Sequence, residues 1–228
     1  MGIAENLRAV RERIARACER AKRDPASIVL VAVSKVQPAE AIREALEAGQ
    51  RAFGENYAQE LREKAEAIGE GSGIEWHFLG ALQTNKVKMV AGRVALVHTC
   101  DRPSLAQELN KRAAALGIAQ RVLVEVNLAI EPQKGGIPPG DLGSFVDAVR
   151  NLPALRCEGL MCIPPADGDP RPHFRTLRDL RDELHGRTGL ALPELSMGMS
   201  ADYEIAIEEG ATIVRVGTAI FGERPPKA

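Results

Sequence analysis

The sequence predicts an α/β chain folded as a closed (β/α)8 TIM barrel with an extra N-terminal helix, and three observations carry that prediction. Short runs rich in Val, Ile and Leu alternate with helical stretches along nearly the whole chain. The runs are apolar on both faces, as in Ile28-Val29-Leu30-Val31-Ala32-Val33, which calls for helices outside, a packed interior and therefore a parallel sheet. Eight such runs fit into 228 residues, which suits a closed barrel better than an open doubly wound sheet.

The leading segment places Ile3, Leu7, Val10, Ile14 and Ala17 on one helical stripe. Its arginines Arg8, Arg11, Arg13, Arg16 and Arg20 fall mostly elsewhere, interspersed with Glu5, Glu12 and Glu19, so they read as a solvated face and not as a nucleic-acid patch. After Asp24-Pro25 strands are expected near Ile28 to Lys35, Arg51 to Asn56, Ile74 to Gly80 and Ala95 to Asp101. The other four are expected near Arg121 to Leu128, Leu155 to Ile163, Glu194 to Gly198 and Thr212 to Gly217. Helical patterns lie between them at Ala39 to Ala48, Ala58 to Ile68, Ser104 to Leu116, Leu142 to Arg150, His173 to Arg187 and Asp202 to Glu209. No Pro/Gly/Ser-rich linker splits the chain, and Pro164 to Pro172 sits where a βα loop belongs, so one domain over residues 1–228 is expected.

Composition narrows the function classes. Lys plus Arg (30) nearly balance Asp plus Glu (31), which gives a formal charge of -1 and disfavours nucleic acid or anionic lipid as a partner. With 45% hydrophobic and 27% charged residues the chain is neither disordered nor fibrous, and a 4% aromatic share leaves the core to aliphatic side chains. The longest purely apolar stretch, Ile28 to Val33, is far short of the ~20 residues of a membrane span, and no signal-peptide core precedes it, so a cytoplasmic protein off the membrane is expected. Cys18, Cys100, Cys157 and Cys162 form no Cys-x-x-Cys pair and stand without histidine at finger spacing, so reduced, mostly buried thiols and no metal site are expected.

Barrel chemistry comes from the C-terminal ends of the strands, and here those ends are polar: Lys35, Asn56, His77 to Gly80, Asp101, Asn127, Ser196, Ser200 and Gly217-Thr218. Lys35 follows a buried run, where desolvation can lower a lysine pKa by up to ~3–5 units and leave a free amine able to form a Schiff base. The alternative is a lysine that leaves the barrel for solvent. Strands seven and eight hold the recurring phosphate position of this fold, and Ser200 with Gly217-Thr218 supplies hydroxyls and close-approach backbone there. Ser200 also reads as an ordinary helix cap ahead of Ala201. Arg215, two residues before Gly217 and on the same side of the strand, needs a partner: the ring nitrogen of a bound pyridine, or the Glu125 carboxylate. His77, on the third strand, either lines the site or packs in the core, and the core is the favoured reading.

An amine, a phosphate cradle and a cationic donor to a ring nitrogen together describe pyridoxal 5'-phosphate, PLP. The segments Val31-Ala32-Val33-Ser34-Lys35, Phe53-Gly54-Glu55-Asn56-Tyr57, Trp76-His77-Phe78-Leu79-Gly80, Leu82-Gln83-Thr84-Asn85-Lys86, Ser196-Met197-Gly198-Met199-Ser200 and Val214 to Gly222 resemble the pyridoxal phosphate homeostasis protein family (YggS-type), over essentially the whole chain. The resemblance implies a barrel related to the N-terminal domain of alanine racemase, with PLP on Lys35, phosphate contacts from Ser200, Gly217 and Thr218, Asn56 in the cofactor site, and Arg215 at the pyridine nitrogen. The segment Ile130 to Gly136 departs from the commoner pattern, which often has a small polar residue where Gly135 stands.

An arginine at the pyridine nitrogen keeps the ring unprotonated and weakens the cofactor as an electron sink. Racemases that resemble this barrel add a C-terminal β-domain and a catalytic tyrosine, whereas this sequence stops at Ala228 and its tyrosines, Tyr57 and Tyr203, lie in the family's own segments. The expected function is a monomeric intracellular carrier or buffer of PLP, without robust catalysis, that passes cofactor to PLP-dependent client enzymes. Lys86 or Lys134 could supply the amine for transfer, or be ordinary surface lysines. A PLP-dependent amino-acid racemase of the same fold is the alternative, and a barrel holding another phosphorylated ligand without a Schiff base is a third.

Overall fold

The apolar stripe at the start of the chain folds as helix α1 (Ile3–Arg20), burying Leu7, Val10, Ile14 and Ala17 along one face. The structure, a computed structural model, describes residues 2–69, 71–129 and 135–223. Beyond α1, eight strands run β1 (Val29–Val33), β2 (Ala52–Glu55), β3 (Glu75–Phe78), β4 (Leu96–Cys100), β5 (Gln120–Glu125), β6 (Leu155–Met161), β7 (Glu194–Ser196) and β8 (Ile213–Val216). They pair in parallel in sequence order, and β8 closes on β1 through Val29 opposite Ile213 and Val31 opposite Arg215. A helix follows each strand: α2 (Ala39–Glu47), α3 (Ala58–Ile68), α4 (Val87–Val90), α5 (Pro103–Ala115), α6 (Leu142–Arg150), α7 (Arg171–Thr188), α8 (Tyr203–Glu208) and α9 (Thr218–Phe221). This is the predicted (β/α)8 barrel with its additional N-terminal helix.

Two apolar layers hold it together. Between strands and helices lie Leu61, Leu105, Leu109, Phe174 and Tyr203, all fully buried. Inside the barrel a smaller cluster of Val31, Ala52, Leu79, Leu96, Leu123, Met161 and Ile213 fills the tube. Helix α9 is one turn long, too short to cover its strand, and α1 packs against α2, α8 and α9 to complete the outer layer there. The arginines predicted to face solvent include Arg13 and Arg20, which are exposed and also form ion pairs across this contact: Arg13 reaches Glu204 at 2.7 Å, and Arg20 reaches Glu204 and Glu208 at 3.0 and 2.8 Å.

The strands are shorter than their apolar runs, mainly at the ends that carry the polar residues. β1 ends at Val33, so Lys35 stands in a turn beyond the strand and not on it. The one-turn helices α4 and α9 and the 3-10 turn Thr84–Lys86 escaped the sequence reading because an element that short shows no period. No helix among the described residues is long and apolar enough to cross a membrane, and no metal-binding cluster of His, Cys, Asp or Glu occurs among them. The four thiols are free, with Cys18, Cys100 and Cys162 buried; burial pushes Cys157 up to about 11 and Cys162 to about 12.

Candidate functional site

All six residues assigned to the site from the sequence line one cavity of about 300 Å³ at the C-terminal mouth of the barrel: Lys35, Asn56, Ser200, Arg215, Gly217 and Thr218. Val33, Leu79, Ile163 and Met199 supply its apolar walls. Polar groups converging on an apolar hollow at this face are the usual form of a small-molecule site.

Lys35 is held by the turn that follows β1. Gln37 donates its N–H to the Ser34 carbonyl at 3.0 Å, and Val36 adopts φ +58°, a left-handed conformation costly for a β-branched residue. The Glu60 carboxylate holds that conformation by accepting the Val36 N–H at 2.8 Å. Beneath the turn the Lys64 ammonium donates to the Ser34 carbonyl at 2.7 Å and to Glu55 and Glu60 at 2.8 Å each. Ser34 Oγ donates to the same Glu55 oxygen at 2.6 Å. Burial raises the Glu55 carboxyl, with Lys64 and the Ser34 hydroxyl pulling the other way. The sequence reading missed Glu55, Glu60 and Lys64; Glu60 and Lys64, four apart on α3, are the signal that was there to find.

Asn56 directly follows β2, and its Oδ1 is buried without a hydrogen-bond partner. Its backbone is fixed by a close approach of the next loop: any Cβ at Gly80 would collide with the Asn56 carbonyl.

Ser200 is not the helix cap expected from the sequence. Helix α8 begins at Tyr203, and Asp202 occupies the cap position, accepting the Met199 N–H at 2.6 Å. The Ser200 hydroxyl turns instead to the neighbouring loop, accepting from the Gly217 N–H at 3.2 Å and the Ala219 N–H at 3.4 Å. Two backbone donors therefore already converge on one oxygen at the place predicted for an anion. Gly217 closes the cradle, since a Cβ there would stand 3.3 Å from the Val33 carbonyl oxygen.

Arg215 is 5% exposed and donates to Ser196 Oγ at 2.6 Å and to the Cys162 carbonyl at 2.9 Å. These bonds use two of its five N–H donors. Burial lowers the guanidinium, and Cys162 and Glu125 oppose that through their charge. The Glu125 carboxyl itself is pushed up to about 7, first by burial and then by Asp101. A Cβ at Gly135 would lie 3.0 Å from Asp101 Oδ2 and 3.7 Å from Glu125 Oε2, so glycine lets that backbone sit against the two carboxylates. His77 is buried as expected, yet it is a polar member of the barrel interior, 2.8 Å from His98. Lys86 is exposed beside a second hollow of about 390 Å³ that shares Asn56 with the first, while Lys134 and residues 130–133 lie outside the described residues.

Residues 5–225 match the family described as alanine racemase, N-terminal domain. The chain is 50% identical over 227 residues to the pyridoxal phosphate homeostasis protein of Aquifex aeolicus, covering 98% of this chain and 99% of that one. It is 44% identical over 226 residues to the protein of the same name in Escherichia coli K12, covering 97% of each. Among solved structures it is similar to PipY of Synechococcus elongatus with PLP bound, at a TM-score of 0.86 and 37% identity, covering 96% of this chain and all (100%) of that one. Alanine racemase from Streptomyces coelicolor shares the fold, with a TM-score of 0.71 at 22% identity; the alignment covers 96% of this chain and 59% of the racemase.

Proposed function

The chain belongs to the pyridoxal phosphate homeostasis protein family, and from that premise we propose that it binds PLP as a Schiff base on Lys35 and works as a cytoplasmic carrier or buffer of the cofactor. The convergence of Lys35, Asn56, Ser200, Arg215, Gly217 and Thr218 on one cavity carries this reading. The residues present fit the group. An orphaned acceptor on Asn56 awaits a donor, and the Gly217 and Ala219 amides, which converge on the Ser200 hydroxyl, are donors that an anionic oxygen beside that hydroxyl could share.

When bound, PLP supplies an aldehyde that a lysine amine can hold reversibly and a pyridine ring able to accept electrons. Lys35 provides the amine from a turn fixed on both flanks by Ser34 and Val36. Ser200 and the Gly217-Thr218 backbone would hold the phosphate, and Asn56 would orient the ring. Arg215 would donate to the ring nitrogen; because a guanidinium keeps its protons, it would leave the ring unprotonated and disfavour carbanion chemistry. Such a site holds and releases cofactor for PLP-dependent client enzymes. The same reading takes residues 1–228 as one PLP-binding domain and the protein as a monomer.

Borohydride reduction of the PLP-loaded protein followed by peptide mass mapping tests this. A reduced adduct on the peptide containing Lys35 is expected; an adduct elsewhere, or none, overturns the assignment. Incubating the loaded protein with L-alanine or L-serine should yield no sustained formation of the D-isomer. Sustained turnover would replace the carrier with the racemase alternative.

A further inference from the structure

The barrel interior, normally a layer of aliphatic side chains, here carries a continuous polar chain. His77 on β3 lies with Nδ1 2.8 Å from His98 Nε2 on β4. His98 Nδ1 lies 2.8 Å from Ser196 Oγ on β7, and Ser196 Oγ accepts from Arg215 Nη1 on β8 at 2.6 Å. All four side chains are buried, with exposures of 4% or less apart from the 5% of Arg215. A polar chain at that depth persists at a cost unless each member is satisfied, and this one ends on the cation that lines the candidate site.

Its direction follows from the chemistry of its last member. A guanidinium only donates, so Ser196 Oγ accepts from Arg215; of the two possible polarities of the Ser196–His98 contact, the one that also gives the serine proton an acceptor sends it to His98 Nδ1. His98 carries its own proton on Nε2, which donates to His77 Nδ1 and leaves the His77 proton on Nε2 as well. Both rings must be neutral for this to hold. Burial pushes His77 down to about 4, with Arg121 adding to it, and holds His98 well below the usual histidine range, helped by His77, Arg215 and Arg121.

We propose that His98 is a positioning residue for Arg215: by fixing the rotation of the Ser196 hydroxyl, it keeps that oxygen's lone pairs on the guanidinium and sets the plane from which Arg215 meets the ring nitrogen of the bound cofactor. A serine hydroxyl alone rotates freely. With His98 as acceptor and His77 behind it, the aligned dipoles present their negative ends to the buried cation. The assignment to a ring nitrogen rests on the proposed PLP site, whereas the bond polarity belongs to the unliganded protein.

Two measurements separate these. Histidine ¹⁵N–¹H correlation spectra of the unliganded protein at pH 7 should show both His77 and His98 protonated at Nε2, and Ser196→Ala should shift the His98 tautomer signature. A parent His98 protonated at Nδ1 overturns the proposal whatever becomes of the cofactor. In the loaded protein, Ser196→Ala and His98→Leu should displace the cofactor's absorption band and speed its release roughly tenfold, the worth of one hydrogen bond to a charged group. His98→Asn, whose amide oxygen can accept where Nδ1 stood, should keep the parental band; a merely structural role would not divide Asn from Leu. If Ser196→Ala and His98→Leu both match the parent in band and release while the adduct still maps to Lys35, the positioning role is overturned and the PLP reading stands. If His98→Leu does not fold, Ser196→Ala and the parent tautomers decide. An adduct missing from Lys35 in the parent overturns the PLP reading itself, and the tautomers then decide the chain.

Discussion

Replacing Lys64 by methionine removes a cation shared by three oxygens: the Ser34 carbonyl at 2.7 Å and carboxylate oxygens of Glu55 and Glu60 at 2.8 Å each. Glu55 is 0% exposed, and its second oxygen already lacks a hydrogen-bond partner. The variant therefore leaves a buried carboxylate supported by Ser34 Oγ and facing a second carboxylate on α3. Breaking a buried pair in this way costs about 3–5 kcal/mol. For a chain of this size each kcal/mol moves Tm by roughly 2–4 °C, so a fall on the order of 10 °C is expected in the unliganded protein at pH 7. The pH dependence has a definite sign. Burial already raises Glu55 in the parent, and losing Lys64 raises it further. The folded variant then binds a proton more tightly than the unfolded chain, whose glutamates titrate near ~4.3. Its deficit must shrink as pH falls toward that value and grow as pH rises. Glu55→Gln added to Lys64→Met should recover most of the loss, since a neutral amide is far less costly to bury. Urea unfolding at pH 5 and pH 8 checks this. A Lys64→Met variant within about 1 kcal/mol of the parent at pH 7, or one whose deficit grows on acidification, refutes the reasoning.

Two further predictions concern groups whose titration opposes one another and so need variants to be seen. His77 is held at about 4, below the ~6.5 of an unfolded histidine, so the stability from keeping it neutral is complete above that value and is lost as pH falls toward 4. His77→Gln should flatten this acid slope, worth about 3 kcal/mol by pH 4, in urea unfolding; parallel slopes for parent and variant would contradict it. Glu125 is raised to about 7, so in the parent its effect runs the other way, with stability lost as pH rises from the ~4.3 of an unfolded glutamate to 7. Glu125→Gln should gain about 1–3 kcal/mol at pH 8 and nothing at pH 4, and a gain independent of pH would show that the carboxyl is not the cause.

Much of the candidate site was legible because barrel strands end at the active face, so a polar residue closing an apolar run is already placed. Lys35, Asn56 and Gly217-Thr218 were found on that ground and Arg215 from its place two residues before Gly217 on the same side of the last strand, and all of them line the cavity. Ser200 was found for a mistaken local reason: it caps no helix and instead joins two loops that are adjacent only in space. Lys64 and Glu55 escaped because their contact with the Lys35 turn needs the α3 helix folded back across β1 and β2.

By itself the sequence determined the order of strands and helices, the apolar stripe of the leading helix and the polar character of the mouth. Those features depend on periods of two and about 3.6 residues, which are local. Only the tertiary structure decided which inward residues meet. The alternation puts His98 two residues beyond Leu96 and Arg215 two beyond Ile213, all facing in, but nothing local joins His98 to Ser196 across 98 positions of chain. That contact, like the bond from Arg215 to Ser196, depends on how strands tilt and stagger when the sheet closes, a property of the whole ring and of no single segment.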